Sequence, residues 1–176
     1  MPAKPRKASA SHGASIVSSS HLVSPRSAEL SEFEFGLIVA WNAFSRWAVR
    51  CMGAAGVADL TITDVLLLHH VNHRARNKKL ADICFVLNYE DTHVVAYSLK
   101  KLVAAGLVTT DKVGKEVFYR PTPAGEAAVQ GYRQVREQCL VESLDTELNA
   151  PIGELARLLR TMSGMYDQAA RAASSL

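Results

Sequence analysis

The stretch EDTHVVAYSLKKLVAAG, residues 90–106, decides how the chain folds. Asp91 or Thr92 can cap a helix start, because a short side-chain oxygen accepts hydrogen bonds from the free amides of a first turn. Gly106 stands where such a helix ends, since glycine adopts the left-handed conformation of a C-terminal cap without strain. Between these ends apolar side chains recur at helical spacing, at Val95, Leu99 and Leu102. The stretch therefore predicts a helix with one face against a core.

The opposite face of this helix carries small, hydrogen-bonding and cationic side chains and no carboxylate after Asp91. These residues are Thr92, His93, Ala96, Tyr97, Lys100 and Lys101. Such a set suits contact with DNA, and one reading is a recognition helix lying in a major groove. The other reading is an amphipathic surface helix whose lysines are solvated. The stretch by itself does not decide between them.

A shorter helix is predicted just before this one, from about Leu80 to Leu87, with Ile83 and Cys84 towards the core. Asn88 follows at the turn, and asparagine is one of the few residues other than glycine that tolerate the left-handed conformation. Two helices at this spacing are typical of a helix-turn-helix, in which the first helix braces the second against DNA.

Two further helices are predicted upstream. From about Ser27 to Gly53 apolar residues step by three or four and cover more than one side, so we expect burial against a second subunit. From Thr61 a second helix runs to about Arg74, because Thr61 and Asp64 match a capping box. The apolar positions of the first helix are Leu30, Phe33, Leu37, Trp41, Phe44 and Ala48.

A hairpin and two helices are predicted downstream. Val, Thr, Phe and Tyr enrich the strands, and Thr122 and Pro123 suit the cap and first position of a helix. The predicted strands span residues 107–112 and 116–120 around a turn at 113–115, and the helices run from Thr122 to about Ser143 and from Thr146 or Pro151 to Ala173.

The charge is unevenly distributed along the 176 residues, whose net charge is +3. Residues 1–28 carry four basic and no acidic side chains, and we expect 1–26 to be a disordered basic tail. Residues 74–120 hold nine Lys or Arg against five Asp or Glu. A positive centre in a near-neutral body suits a polyanion partner at one face.

Other classes of site and protein have little support. His69 and His73 lie four residues apart on one helix face, but no third metal ligand is in view, so we expect no metal site and no cofactor. No apolar run approaches the length of a membrane span and no secretory signal is evident, which predicts a cytoplasmic protein without membrane contact. No phosphate-binding loop or nucleophile motif appears, so an enzyme is not expected.

Four segments give the chain a resemblance to the MarR family of winged-helix transcriptional regulators. They are LTITDVLLL (60–68), ICFVLN (83–88), LKKLVAAGLV (99–108) and FYRPTPAGEAA (118–128). The resemblance implies a mainly α fold with a small two-stranded β wing, in which N- and C-terminal dimerisation helices flank a winged helix-turn-helix. The expected parts are a tail at 1–26, a dimerisation region at 27–56 and 123–173, a DNA-binding domain at 57–122, and a short tail at 174–176.

The resemblance also implies partners and site residues. It implies a homodimer on a pseudo-palindromic operator in double-stranded DNA, with the polar face of residues 92–101 towards bases and Lys112 and Lys115 of the wing towards the minor groove. Two departures stand out: the linker between the helices is one residue longer, and the family's Asp-x-Arg wing signature is missing, because Lys112 and Val113 follow Asp111.

Members of this family often bind small aromatic ligands between the dimerisation helices and the winged domain. By position such an effector would contact Trp41, Phe44, Trp47, His69 and His73, although these residues also suit ordinary core packing. Oxidation of Cys51 or Cys84 is an alternative signal. The function that competes with a regulator is a winged-helix protein-interaction module without specific DNA binding, which the missing wing arginine favours.

Overall fold

The structure is a computed structural model that describes residues 23–73 and 77–176. Residues 1–22 of the predicted tail and residues 74–76 of the basic link lie outside the described residues. Just before the first helix the chain turns, and the Ser27 N–H donates to the carbonyl of Ser24 at 3.1 Å.

The described residues form six α-helices and three strands, close to the predicted order. The helices are α1 Ala28–Ala54, α2 Ile62–Asn72, α3 Leu80–Leu87, α4 Thr92–Ala104, α5 Pro123–Arg136 and α6 Asn149–Ala173. A wider π turn, Glu137–Val141, extends α5, and a 3-10 turn, Thr146–Leu148, precedes α6. The strands are β1 Lys78–Lys79, β2 Val108–Val113 and β3 Glu116–Pro121.

The predicted helix starts are set by their caps. At α2 the Thr61 N–H donates to Asp64 Oδ2 at 2.8 Å and the Asp64 N–H donates to Thr61 Oγ1 at 3.3 Å, which completes the capping box. At α5 the Gly125 N–H donates to Thr122 Oγ1 at 3.1 Å, and Pro123 occupies the first turn. Each cap satisfies amides that the helix itself leaves free.

The prediction of a two-stranded wing was wrong by one short strand. The sheet has three antiparallel strands in the order β1-β3-β2, and Lys78 and Lys79 pair with Tyr119 and Phe118. Val113 pairs with Glu116, so β2 and β3 are joined by a two-residue turn in which Gly114 has φ 62°. Two lysines show no apolar alternation, and only their pairing with β3 makes them a strand.

The core lies inside the winged helix-turn-helix. Leu68 of α2, Ile83 of α3, and Val95, Leu99 and Leu102 of α4 are fully buried. The C-terminal part of α1 and the first turns of α5 close this core from the other side through Ala48, Cys51, Met52, Ala128 and Tyr132.

The N-terminal half of α1 and all of α6 are different. No residue of α6 is buried. Its apolar side chains, and those of the first half of α1, are exposed at Leu30, Leu37, Ile38, Val39, Trp41, Ile152, Leu155, Leu158, Leu159 and Met165. Within the described residues, no helix combines the length and hydropathy that crossing a bilayer requires.

Candidate nucleic-acid interface

Helix α4 is fixed at both ends by backbone conformation. Asn88 adopts the predicted left-handed conformation with φ 56° between α3 and α4. Asp91 is the cap, and its Oδ1 accepts from the His93 N–H at 2.8 Å. At the other end Gly106 has φ 71°, and the Leu107 N–H donates to the Leu102 carbonyl at 3.0 Å. These contacts set where the exposed face of α4 begins and ends.

The exposed face of α4 presents a stripe of polar side chains. His93, Tyr97 and Lys100 follow one another at intervals of four and three residues and therefore lie along one side of the helix. Tyr97 is 74% exposed. Thr92 is exposed in the first turn, and Ala96 is half-buried beside the stripe. This stripe combines a hydroxyl, an imidazole and an ammonium group, all able to hydrogen-bond to bases or phosphates.

Lys101 takes a different direction from the stripe. Its Nζ lies 2.7 Å from Oδ2 of Asp64 and donates to the carbonyl of Asp59 at 2.6 Å. Ser98, one turn earlier on α4, donates its hydroxyl to Oδ1 of the same carboxylate. Lys101 is thus directed towards the start of α2, whereas the other five predicted α4 residues carry no contact to that carboxylate.

Asp64 is a buried carboxylate with a full set of partners. Its residue surface is 2% exposed. Burial opposes its ionisation, but the hydrogen bonds from Lys101, Ser98 and Thr61 outweigh burial and lower the pKa of Asp64 below its ordinary value. A lowered pKa contributes stability that is present at neutral pH and is lost only as the pH falls through that pKa in acid.

The wing carries two exposed cations near its tip and two paired cations at its base. Lys112 and Lys115 are exposed, and neither forms an ion pair with another described residue. Arg120 of β3 lies 2.6 Å from Oδ2 of Asp111 on β2. Lys79 lies 2.5 Å from Glu116 and its Nζ is 5.3 Å from the centre of the Phe118 ring.

The Arg120–Asp111 pair was missed by the sequence analysis, which looked for an arginine on the same strand as Asp111. The hairpin register could have predicted this pair, because Thr109 faces Arg120 and Asp111 faces Phe118. That register places Arg120 diagonally across from Asp111, within reach of a long side chain. The wing therefore has a carboxylate-held arginine, contributed by β3.

A contact between the helix-turn-helix and α6 was also missed. The side-chain amide of Asn88 donates to the Asp167 carboxylate at 3.2 and 3.3 Å and approaches the Ser163 hydroxyl at 3.5 Å. Tyr166 on the same helix donates to Glu34 of α1 at 3.0 Å. Helix α6 is thus in polar contact with both the turn before α4 and the first helix.

A second feature is a cleft of about 410 Å³ between α1, α2 and α5. His69 and Tyr132 meet edge to face there with ring centres 4.4 Å apart. The Nε2 atom of His69 is buried without a hydrogen-bond partner among the described residues, and burial lowers the pKa of this histidine. The cleft is lined by Phe44, Ala48, Val65, Leu66, His69, Val129, Tyr132, Arg133 and Arg136.

The cleft includes two of the five residues predicted for an effector site. Phe44 and His69 line it, whereas Trp41 does not, although its ring centre lies 6.1 Å from that of Phe44. Trp47 packs against the core instead. His73 ends α2 and its carbonyl accepts from Lys78. Sequence reasoning missed Arg133 and Arg136, because it read α5 only as a dimerisation helix.

The two cysteines predicted as possible oxidation sites lie in environments that lower their reactivity. Cys51 and Cys84 are buried, and burial raises the pKa of both thiols. Cys51 also donates its S–H to the carbonyl of Tyr132 at 3.4 Å. Thiols of this kind are poorly reactive because the thiolate is the nucleophile. The described residues hold no group of three His, Cys, Asp or Glu side chains that could bind a metal ion.

Comparisons with known proteins agree with this architecture. Residues 60–125 match a family model described as a winged helix DNA-binding domain. No curated protein matches the chain.

Solved structures share the fold over 70–78% of the chain. AbfR of Staphylococcus epidermidis superposes with a TM-score of 0.64 at 15% identity, covering 78% of this chain and 93% of AbfR. BpsR of Bordetella bronchiseptica gives 0.53 at 21% identity, covering 71% and 90% of the two chains. Wild-type MarR from E. coli gives 0.52 at 17% identity, covering 70% and 93%. Residues 60–125 are therefore similar to the winged helix DNA-binding domain family, and the chain shares the fold of MarR and the other solved structures.

Proposed function

We propose that the chain is a homodimeric, sequence-specific DNA-binding transcriptional regulator. The observation that carries the proposal is the stripe of His93, Tyr97 and Lys100, which is exposed on a helix whose other face is fully buried in a winged-helix core. A rigid helix that presents hydrogen-bonding side chains without carboxylates is the element that reads base edges in a major groove.

The wing supports the same face for DNA. Lys112 and Lys115 are cations near the tip of a hairpin that follows directly after α4. Cations at such a position neutralise phosphates and release counterions. With Lys101 held by Asp64, the residues we propose to contact DNA are Thr92, His93, Ala96, Tyr97, Lys100, Lys112 and Lys115.

The apolar surfaces of α1 and α6 support the homodimer. Both helices are long, and their leucine, isoleucine and methionine side chains are exposed in a single chain. Large exposed apolar patches mark interaction sites. A second copy of the same two helices offers a matching surface, and two-fold symmetry would present two α4 helices to successive major grooves.

Equilibrium binding across a salt series tests the proposal. The purified protein is titrated with its own upstream DNA and with random DNA, and compared with the double variant Tyr97→Ala/Lys100→Ala. We expect specific binding whose affinity falls steeply with salt, and its loss in a variant that still folds and dimerises.

Equal affinity for both DNAs, or binding unaffected by the double change, would refute the regulator. It would favour the protein-interaction module. That alternative has one observation in its favour, because Lys79, Lys101 and Arg120 are already paired with carboxylates and contribute little to a positive field.

We further propose that the regulator responds to a small aromatic anion bound in the cleft between α1, α2 and α5. His69 and Tyr132 supply aromatic rings, and Arg133 and Arg136 supply positive charge. BpsR has its DNA binding regulated by 6-hydroxynicotinic acid, which belongs to this chemical class. The buried thiols of Cys51 and Cys84 make oxidation the weaker proposal.

The effector proposal is tested by titrating the protein with 6-hydroxynicotinic acid and following tryptophan fluorescence. We expect saturable binding that weakens at least about tenfold in Arg133→Gln/Arg136→Gln, because each arginine supplies a charge-assisted hydrogen bond. Arg157→Gln/Arg160→Gln on α6 is the matched control and should bind as the wild type does. Equal loss in both variants would show that overall charge, and not the cleft, is responsible.

A further inference from the structure

The carboxylate of Asp64 links the start of α2 to two successive turns of α4. From α2 it accepts the Thr61 N–H at 2.8 Å. From α4 it accepts the Ser98 hydroxyl on one oxygen and the Lys101 ammonium, at 2.7 Å, on the other. Residues 98 and 101 are three apart, so both contacts lie on one edge of α4.

These contacts restrict rotation of α4 about its own axis. A roll that moved Lys101 towards the exposed stripe would break the ion pair and the bond from its Nζ to the Asp59 carbonyl, which is 2.6 Å long. It would also pull Ser98 out of its buried position, where the residue is 3% exposed. Breaking the pair leaves a charge without a partner in a buried place, which is strongly unfavourable.

We propose that Asp64 is a positioning residue that determines DNA specificity by fixing the rotation of α4 and by keeping Lys101 away from phosphates. The inference rests on the proposed function, because it assigns Asp64 a role in the same interface. Lys101 is the informative partner, since its side chain is still 34% exposed and its ammonium is held by Asp64 and the Asp59 carbonyl.

Loss of the carboxylate charge has a different consequence from loss of a simple structural contact. Once Asp64 no longer holds it, the Lys101 ammonium group becomes a mobile cation beside the recognition face. It then strengthens binding to any DNA sequence through counterion release. At the same time a less restrained α4 aligns less well with base edges, so discrimination falls. The signature is therefore tighter random binding together with weaker specificity.

The test uses the full chain with five variants, measured on its own upstream DNA and on random DNA across a salt series. In Asp64→Asn we expect the slope of log affinity against log salt on random DNA to steepen by about 1.8, the value for one added phosphate contact in each of the two subunits, and the specificity ratio to fall about tenfold. In Asp64→Asn/Lys101→Met the slope should return to the wild-type value while the ratio stays low.

Two single variants distinguish the roles of the neighbouring Lys100 and Lys101. Lys101→Met should leave the salt slope unchanged, because Lys101 contacts no phosphate, whereas Lys100→Met should reduce it by about 1.8, one contact for each subunit. Ser98→Ala removes one contact and keeps the ion pair, so the inference can still be tested if Asp64→Asn does not fold. We expect Ser98→Ala to lower the specificity ratio without steepening the slope.

The outcomes distinguish this inference from the proposed function. Equal reductions of the slope in Lys101→Met and Lys100→Met would overturn it, because Lys101 would then be a phosphate contact. An unchanged specificity ratio in folded Asp64→Asn, or in Ser98→Ala if the first variant does not fold, would also overturn it. Either result would leave the regulator intact. Wild-type protein that does not prefer its own DNA overturns both.

Discussion

The winged-helix core and the two long flanking helices differ in how far they bury their apolar side chains. In the core, each of α2, α3 and α4 contributes fully buried side chains, such as Leu68, Ile83 and Leu99, and the buried Asp64 carboxylate has hydrogen-bond partners on both oxygens. In α6 no side chain is buried, and the first half of α1 exposes aliphatic and aromatic groups. The same chain thus contains one region with a buried apolar core and one region whose apolar side chains stay exposed.

This difference separates what the fold needs from what the proposed function needs. A core of this kind gains its stability from contacts within one chain, so its unfolding should not depend on protein concentration. The outer helices gain stability only when their apolar stripes are covered, and coverage by a second copy makes their stability depend on concentration. Substitutions in the two regions should therefore differ in size and in concentration dependence.

The largest effect is expected for Leu99→Ala in α4. Leu99 is fully buried, and truncating such a leucine leaves a cavity that costs about 3 kcal/mol of unfolding free energy. Denaturant melts at two protein concentrations check this, and the loss should be the same at both. Leu159→Ala in α6 is the matched truncation, and a loss of the same size for it in a monomer would erase the contrast between the regions.

The next effect is expected for Leu155→Glu/Leu158→Glu, which places two charges on the exposed apolar stripe of α6. A buried apolar dimer interface would be disrupted, raising the dimer dissociation constant at least about 100-fold, equivalent to about 2.7 kcal/mol. Sedimentation of both proteins across a dilution series measures it. Gln168→Glu adds a charge at another exposed position of α6 as control. A double variant that dimerises like the wild type would mean that this stripe lies outside the interface.

Two glycines give a smaller and opposite pair of effects. A Cβ on Gly125 would lie 2.0 Å from the Leu107 carbonyl oxygen, which already accepts the Thr122 N–H at 3.1 Å. Gly125→Ala should therefore cost about 2 kcal/mol through overpacking. A Cβ on Gly164 of α6 meets no atom within 4 Å, so Gly164→Ala should stabilise the helix by about 0.5 kcal/mol.

Thermal melts of both glycine variants at low protein concentration give this comparison. The reverse order of stabilities would contradict the packing at the start of α5. Gly164→Ala could also be more stable than the wild type at low protein concentration and less stable at high concentration. That result would indicate that a helix of a second copy approaches closely at this glycine.

The smallest effect concerns pH and His69. Burial lowers the pKa of His69 in the folded chain, so the unfolded chain takes up the proton first and the unfolding free energy falls as the pH drops below about 6.5. His69→Phe keeps a ring against Tyr132 and removes that proton. Melts from pH 7.5 to 5 should show a shallower decline for the variant, with a remainder from His70, whose pKa burial also lowers. Identical declines would exclude His69 as a contributor.

Local signals were enough to predict the elements of the core. The capping box of Thr61 and Asp64, the left-handed Asn88 and the buried stripe of α4 each depend on residues close together in sequence, and all are confirmed. The mainly helical winged fold is confirmed as well, apart from the third strand. Propensity, capping and periodicity act over one or two helical turns, which is why they could be read directly.

The contacts that shape the candidate sites were not predictable in this way. Lys101 meets Asp64 across 37 residues, and Asn88 meets Asp167 across 79. Arg133 and Arg136 reach the cleft only because α5 packs beside His69. Each of these depends on how distant elements dock, and one sequence carries no pattern at such separations. The face of α4 was therefore predictable, whereas the departure of Lys101 from it was not.

The most direct test of the central claim is a hydroxyl-radical footprint of the protein on its own upstream DNA. Two copies that each place an α4 helix in a major groove predict two protected segments about 10 base pairs apart, both lost in Tyr97→Ala/Lys100→Ala. A single protected segment would contradict the paired arrangement of α1 and α6. Protection that survives the double change would contradict α4 as the reading helix.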